Sequence, residues 1–166
     1  LKYTLQELDQ QICQFTNSGC TACILVVNLK TNQITTANVG DSRSIFLNNN
    51  ELICTFDHKP DTPVERQRIQ MYGQLQQEDG VIRIDGKLSV ARALGDQQFK
   101  LSGLISDADI STTQVDQISY YFVACDGLWD VLDSESVNCF IKYMLGISIY
   151  GWDQTIMKAI DKYMQL

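Results

Sequence analysis

Two segments of the sequence carry aspartates where a hard divalent cation could reach them. In Tyr121-Phe-Val-Ala-Cys-Asp126-Gly127-Leu-Trp-Asp130, an aspartate ends an apolar run, glycine frees the backbone after it, and a second aspartate follows four residues on. One intervening helical turn would face Asp126 and Asp130 to the same side. In Asn38-Val-Gly40-Asp41-Ser42-Arg43, another aspartate falls at a turn after a β-prone run. Mg²⁺ and Mn²⁺ take oxygen ligands, keep several waters, and are held by carboxylates on such open backbone. From spacing alone two other uses compete with this one: Asp130 as a helix cap, and Asp41 as a turn residue bonded to its own backbone.

Other reactive side chains point less clearly to chemistry. Cys20-Thr-Ala-Cys23 is a lone CxxC, and the chain has a single histidine, His58, so a four-ligand zinc site is hard to assemble. The six cysteines (Cys13, Cys20, Cys23, Cys54, Cys125 and Cys139) lie mostly in apolar runs, the pattern of reduced, buried thiols in an intracellular protein of cytoplasm or nucleus.

The elements that must position these residues follow from periodicity. Leu1, Leu5, Leu8, Ile12 and Phe15 form one helical stripe, stopped by Asn17-Ser-Gly19. Residues 21–29, 33–39, 43–47 and 51–56 are short β-prone runs separated by turn residues, which reads as an antiparallel meander. Thr62-Pro-Val-Glu65 opens a second helix with Thr62 as N-cap, Pro63 at its first position and Glu65 placed for a capping box; Gly73 closes it. Asp85-Gly86 suits a type I′ hairpin between residues 81–84 and 87–91, and residues 95–108 read as a long loop. Strands follow over 110–115 and 120–125. A helix capped by Asp133 or Ser134 runs through Val137, Phe140, Ile141, Met144 and Leu145. A last helix is capped by Asp153 and lined by Ile156, Ile160, Tyr163 and Met164. The sum is a sheet-rich α+β domain.

Composition bounds the rest. At 166 residues and 45% hydrophobic, the chain holds one core, so it is one domain or part of one. Its apolar runs fall short of the roughly 18 residues of a membrane-spanning helix, so no membrane partner is expected. The first residues form no signal peptide, and Leu1 is not an evident natural start. A formal charge of −7, with no basic stripe, argues against a nucleic-acid partner.

The blocks Ser18-Gly-Cys-Thr-Ala22, Ala37-Asn-Val-Gly-Asp-Ser-Arg43, Asp57-His-Lys-Pro60, Glu65 with Arg68-Ile69, Leu88-Ser-Val-Ala-Arg-Ala-Leu-Gly-Asp96 and Ala124-Cys-Asp-Gly-Leu-Trp-Asp-Val131 occur in this order. Together they resemble the PPM-type, metal-dependent serine/threonine protein phosphatases of type 2C, over essentially the whole chain. The resemblance implies two packed antiparallel β-sheets flanked by helices, an α-β-β-α sandwich. It implies phosphorylated protein substrates and a binuclear Mg²⁺ or Mn²⁺ centre, with Asp126 as a ligand of that centre. Asp41 and Asp130 would join Asp126 in an additional, weaker metal site. It leaves Arg43, Arg92, Gly95 and Asp96 as scaffold and His58 as structural.

Departures from the family pattern shape the functional expectation. The Asp-Gly-His-Gly-Gly block, which carries a bridging metal aspartate, a glycine carbonyl ligand and the histidine general acid, does not occur here, nor do the phosphate-binding arginine and the Gly-Ser-x-Asp-Asn block. Residues 1–166 are therefore expected to form a single partial domain, incomplete at both ends, with the general acid and the phosphate-binding arginine outside this chain. Smaller departures are Cys20 where serine is usual, Ala91 for serine, and Gln74 for a second glycine. A phosphatase is the first functional expectation and a non-catalytic PPM-like module that binds or regulates a protein is the second. The oligomeric state is left open.

Overall fold

The computed structural model describes residues 1–116 and 118–146. The final helix expected around Asp153, Ile156, Ile160, Tyr163 and Met164 lies outside them. Helix α1 (Lys2–Phe15) comes first, followed by strands β1 (Gly19–Cys20), β2 (Ala22–Asn28), β3 (Gln33–Val39), β4 (Arg43–Asn48) and β5 (Glu51–Cys54). Helix α2 (Pro63–Gln70) precedes the hairpin β6 (Leu75–Glu78) and β7 (Val81–Ile84). Then come β8 (Leu94–Gly95), a 3-10 helix (Gln97–Ser102), β9 (Asp109–Gln114), β10 (Ile118–Ala124), α3 (Asp126–Trp129) and α4 (Ser134–Met144).

Two three-stranded antiparallel sheets, β2-β3-β9 and β10-β4-β5, form the sandwich. Alternation along each strand decides which residues face which layer. Ile34, Phe46 and Val115, with Leu25, Val27 and Ile53, fill the space between the sheets. On the outer face of the first sheet, Ala37 and Val39 meet Leu5 and Ile12 of α1. On the outer face of the second, Ile45, Leu47 and Tyr120 meet Trp129 of α3 and Val137 of α4. The order is therefore α-β-β-α, as the family resemblance implies. A further cluster, Ile69, Ile84, Val90, Ala91, Ala93, Phe99 and Leu104, packs α2 against the β6-β7 hairpin region.

The expected meander is corrected by the pairing. β3 and β4 do not pair with each other: β3 lies between β2 and β9, while β4 lies between β10 and β5. Residues 40–42 thus carry the chain from one sheet to the other. Alternating side chains specify which face of a strand is buried but not its neighbour, so local pattern alone could not separate the two arrangements.

Three smaller expectations also change. The hairpin turns at Asp79-Gly80, whose φ values of +50° and +82° suit a type I′ turn, and only the single bridge Ile84–Leu88 closes around Asp85-Gly86. Past Leu88 the chain leaves the hairpin because Val90, Ala91 and Ala93 are drawn into the core. The long loop contains the 3-10 helix, which buries Phe99. Of the α1 stripe, Leu5 is buried and Ile12 half-buried, whereas Leu1, Leu8 and Phe15 are exposed.

Helix α4 starts at the expected cap: the Asp133 carboxylate accepts from Ser136 N–H at 2.7 Å. That bond favours the charged carboxyl and holds its pKa below the ordinary value of 3.8. A carboxyl with a lowered folded-state pKa adds stability above its unfolded value and loses it as pH falls through the folded one. Asp133→Ala is expected to cost about 1 kcal/mol at neutral pH. The difference from the parent chain should shrink in denaturant titrations carried down through the acid range.

Candidate functional site

The β4–β10 register brings the aspartates together. Ala124 pairs with Arg43, so Asp126, two residues beyond the end of β10, and Asp41, two residues before the start of β4, arrive at the same end of the sheet. One turn of helix α3 separates Asp126 from Asp130, with Asp130 N–H bonded to Asp126 O at 2.8 Å. Asp41 is buried, whereas Asp126 and Asp130 are exposed. Asp41 Oδ2 accepts from Lys59 Nζ at 2.8 Å rather than from its own backbone, and the same ammonium reaches Asp130 Oδ1 at 3.4 Å. Burial pulls the Lys59 pKa down, but Asp41 and Asp130 outweigh it and leave it above the ordinary value of 10.5. The N-cap of α4 is Asp133, whereas Asp130 is the C-cap residue of α3 and its carboxylate faces Lys59. Among the described residues, no three His, Cys, Asp or Glu side chains are gathered closely enough to hold a metal ion.

Tight tethers hold the turn that carries Asp41. Gly40 has φ +100°, and a Cβ there would stand 2.3 Å from Thr21 Cγ2, so the position requires glycine. Gly40 O accepts from His58 N at 2.9 Å, and Gly40 N–H donates to His58 Nδ1 at 3.1 Å. The Ser42 and Thr21 hydroxyls share a hydrogen bond of 2.7 Å. On the other side, Arg43 grips Asp57 with two bonds of 2.8 Å, donates to Ser134 Oγ at 2.9 Å, and lies 5.0 Å over the Trp129 ring. Trp129 Nε1 donates to Ala124 O at 2.8 Å, which fixes the start of α3 and with it Asp130.

His58 is 3% exposed and both ring nitrogens are engaged. Because Nδ1 accepts from Gly40, the ring proton belongs on Nε2, 3.0 Å from Asp109 Oδ2. Asp109 also takes Arg92 Nη1 at 2.7 Å, and Arg92 binds Glu65 Oε1 with bonds of 3.0 and 2.6 Å. Glu65 Oε2 meets Arg68 Nη1 at 2.5 Å as an ion pair without hydrogen-bond alignment. Burial works against the charged Asp109, but His58 and Arg92 outweigh it and lower its pKa.

This chain corrects the reading of Glu65: Thr62 makes no side-chain cap bond, and its hydroxyl donates to Lys59 O instead. Arg92, from a segment distant in sequence, outcompetes the local box. Periodicity does not single out Lys59; its one signal in the sequence is a cation directly after the histidine of the Asp57-His-Lys-Pro60 block. The six cysteines are free thiols, but Cys20 and Cys125 are exposed and the others half-buried rather than buried. Burial pushes the Cys23 and Cys54 thiols up, which keeps both protonated.

Comparison with known proteins agrees with this architecture. The family described as "PP2C: Protein phosphatase 2C" matches residues 1–165. "Probable protein phosphatase 2C 21" of Arabidopsis thaliana is 36% identical over 141 residues, which are 77% of this chain and 38% of that protein. "Protein phosphatase 1L" of Bos taurus is 34% identical over 157 residues, 92% of this chain and 43% of the bovine one. The chain thus spans less than half the length of either relative. Among solved structures, serine-threonine phosphatase 2C from Toxoplasma gondii superposes with a TM-score of 0.67 at 26% identity, over 87% of this chain and 54% of that one. A C. elegans sex determining protein shares the fold, with a TM-score of 0.77 at 24% identity over 86% and 36% of the two chains. With its ordered sequence blocks, its α-β-β-α layers and these matches, the chain belongs to the protein phosphatase 2C family.

Proposed function

We propose that residues 1–166 form part of a metal-dependent serine/threonine protein phosphatase domain whose substrates are phosphoserine and phosphothreonine proteins. The observation that carries this reading is the convergence of Asp41 and Asp130 on a cation, at the sheet end where Asp126 emerges. The donor chemistry, though not yet a gathered set of three, suits Mg²⁺ or Mn²⁺: it offers carboxylate oxygens only, with a Lys59 ammonium standing in for positive charge and two exposed aspartates leaving room for retained waters. Asp126 would serve the catalytic centre, and Asp41 with Asp130 and Asp126 the weaker site. When bound, such ions lower the pKa of a water and stabilise charge on phosphoryl oxygens.

The chain's own residues position these carboxylates. The His58–Gly40 pair holds the Asp41 turn, and the Arg43–Asp57–Trp129 group holds α3 against the sheet. His58 cannot serve as an exposed proton donor, since both of its nitrogens are occupied. The second reading is a catalytically inactive module that binds or regulates a protein. The free thiols fit a reducing compartment, cytoplasm or nucleus. No helix among the described residues is long and apolar enough to cross a membrane.

Titration with Mn²⁺, followed by water-proton relaxation, tests the ligand assignment. The parent chain is expected to bind weakly, in the millimolar range. Asp41→Asn, Asp126→Asn and Asp130→Asn should each weaken binding while leaving the circular dichroism unchanged. Equal binding by the parent and all three variants would reduce the aspartates to turn and helix-end residues.

A further inference from the structure

Lys59 occupies a place that its role as a surface lysine does not explain. Its Nζ stands 2.8 Å from Asp41 Oδ2 and 3.4 Å from Asp130 Oδ1. The Asp41 side chain is 4% exposed, so its carboxylate needs a positive partner at all times; an uncompensated charge there would be costly. Lys59 is 32% exposed and Asp130 is 62% exposed, so the ammonium has a route into solvent that the Asp41 carboxylate lacks. The long contact to Asp130 is the looser of the two. An ammonium is a compact, strongly hydrated point charge on a flexible stem, the side chain best able to stand where a hydrated cation would and then leave.

We propose that Lys59 is a tethered competitor for the cation position between Asp41 and Asp130, neutralising the buried carboxylate when no divalent ion is present and swinging out when one binds. This rests on the reading of Asp41 and Asp130 as metal ligands. The exchange is one cation for another, so Asp41 is never left bare. Divalent affinity is reduced by the fraction of molecules in which the ammonium is seated, and it rises when the ammonium is removed. The weakness of this position is then set by a residue that is not itself a ligand.

Mn²⁺ binding to the 166-residue chain, measured by water-proton relaxation, separates the possibilities. Lys59→Met is expected to bind at least about fivefold more tightly than the parent, Lys59→Arg no more tightly, and Lys59→Met combined with Asp41→Asn to lose the gain. If Lys59→Met binds no more tightly than the parent while Asp41→Asn still weakens binding, the competitor role is overturned and the ligand assignment survives. If the parent, Lys59→Met and Asp41→Asn all bind alike, the ligand assignment fails and the competitor role with it. A second measurement needs no variant. Acylation of Lys59 by an amine-reactive ester, read by peptide mass spectrometry in the parent chain, should speed up as Mn²⁺ is added. A rate that stays constant or falls overturns displacement even if Lys59→Met fails to fold.

Discussion

Given Mn²⁺ and a phosphothreonine peptide, the 166-residue polypeptide is expected to release no phosphate above the rate in buffer. Three observations set this result. The single histidine is buried and holds Gly40 and Asp109, so the chain has no imidazole to protonate a leaving group. General acid catalysis of that kind contributes on the order of 10²–10⁴ in rate. Among the described residues, no three candidate ligands gather as a metal centre, and the Asp41 and Asp130 carboxylates are already bridged by Lys59. A two-ion mechanism needs both ions held a few ångströms apart and in line with the phosphoryl group. Phosphate release is followed with and without metal. Metal-dependent turnover that disappears in Asp126→Asn would show that these residues suffice, and would overturn the reading of His58 as purely structural.

The largest stability effect is expected at Glu65. Its side chain is 4% exposed and lies between Arg92 and Arg68, with Arg92 continuing to Asp109 and His58. Glu65→Ala would leave two largely buried guanidinium groups facing each other without their shared counter-ion. Removing one partner from such a buried network costs roughly 3–5 kcal/mol, a large part of the 5–15 kcal/mol that holds a domain folded. The urea midpoint should fall accordingly. Arg68→Ala should cost less, because Glu65 keeps Arg92. The network idea fails if Glu65→Ala moves stability by less than about 1 kcal/mol, the range of exposed ion pairs.

Much of this molecule was legible in its residues, and the boundary of what was legible has a physical cause. The strands over Gln33–Val39 and Asp109–Gln114 and the helix capped by Asp133 follow from alternation, 3.6-residue periodicity and cap chemistry, all local properties. The family blocks supplied the sandwich and pointed to Asp41, Asp126 and Asp130. What escaped depended on partners far along the chain. Glu65 suited a capping box, but Arg92 reached it first. Strands β3 and β4 looked like neighbours and belong to different sheets. Lys59 lies beside Asp130 only because the β4–β10 register closes that end of the sheet.

The passage through residues 40–42 also governs where this chain can change length. Those three residues span from one sheet to the other while holding Gly40 against His58 and Ser42 against Thr21. One residue added or removed there would shift β4 against its partners by one position, turning Ile45 and Leu47 from the helices toward the sandwich interior and carrying Asp41 away from the sheet end. The Asp79-Gly80 tip is the opposite case: it is exposed, and a side chain at Gly80 would meet nothing within 4 Å. Insertions and deletions among relatives therefore belong at the hairpin tip, and the crossing between the sheets should keep its length even where its neighbours diverge.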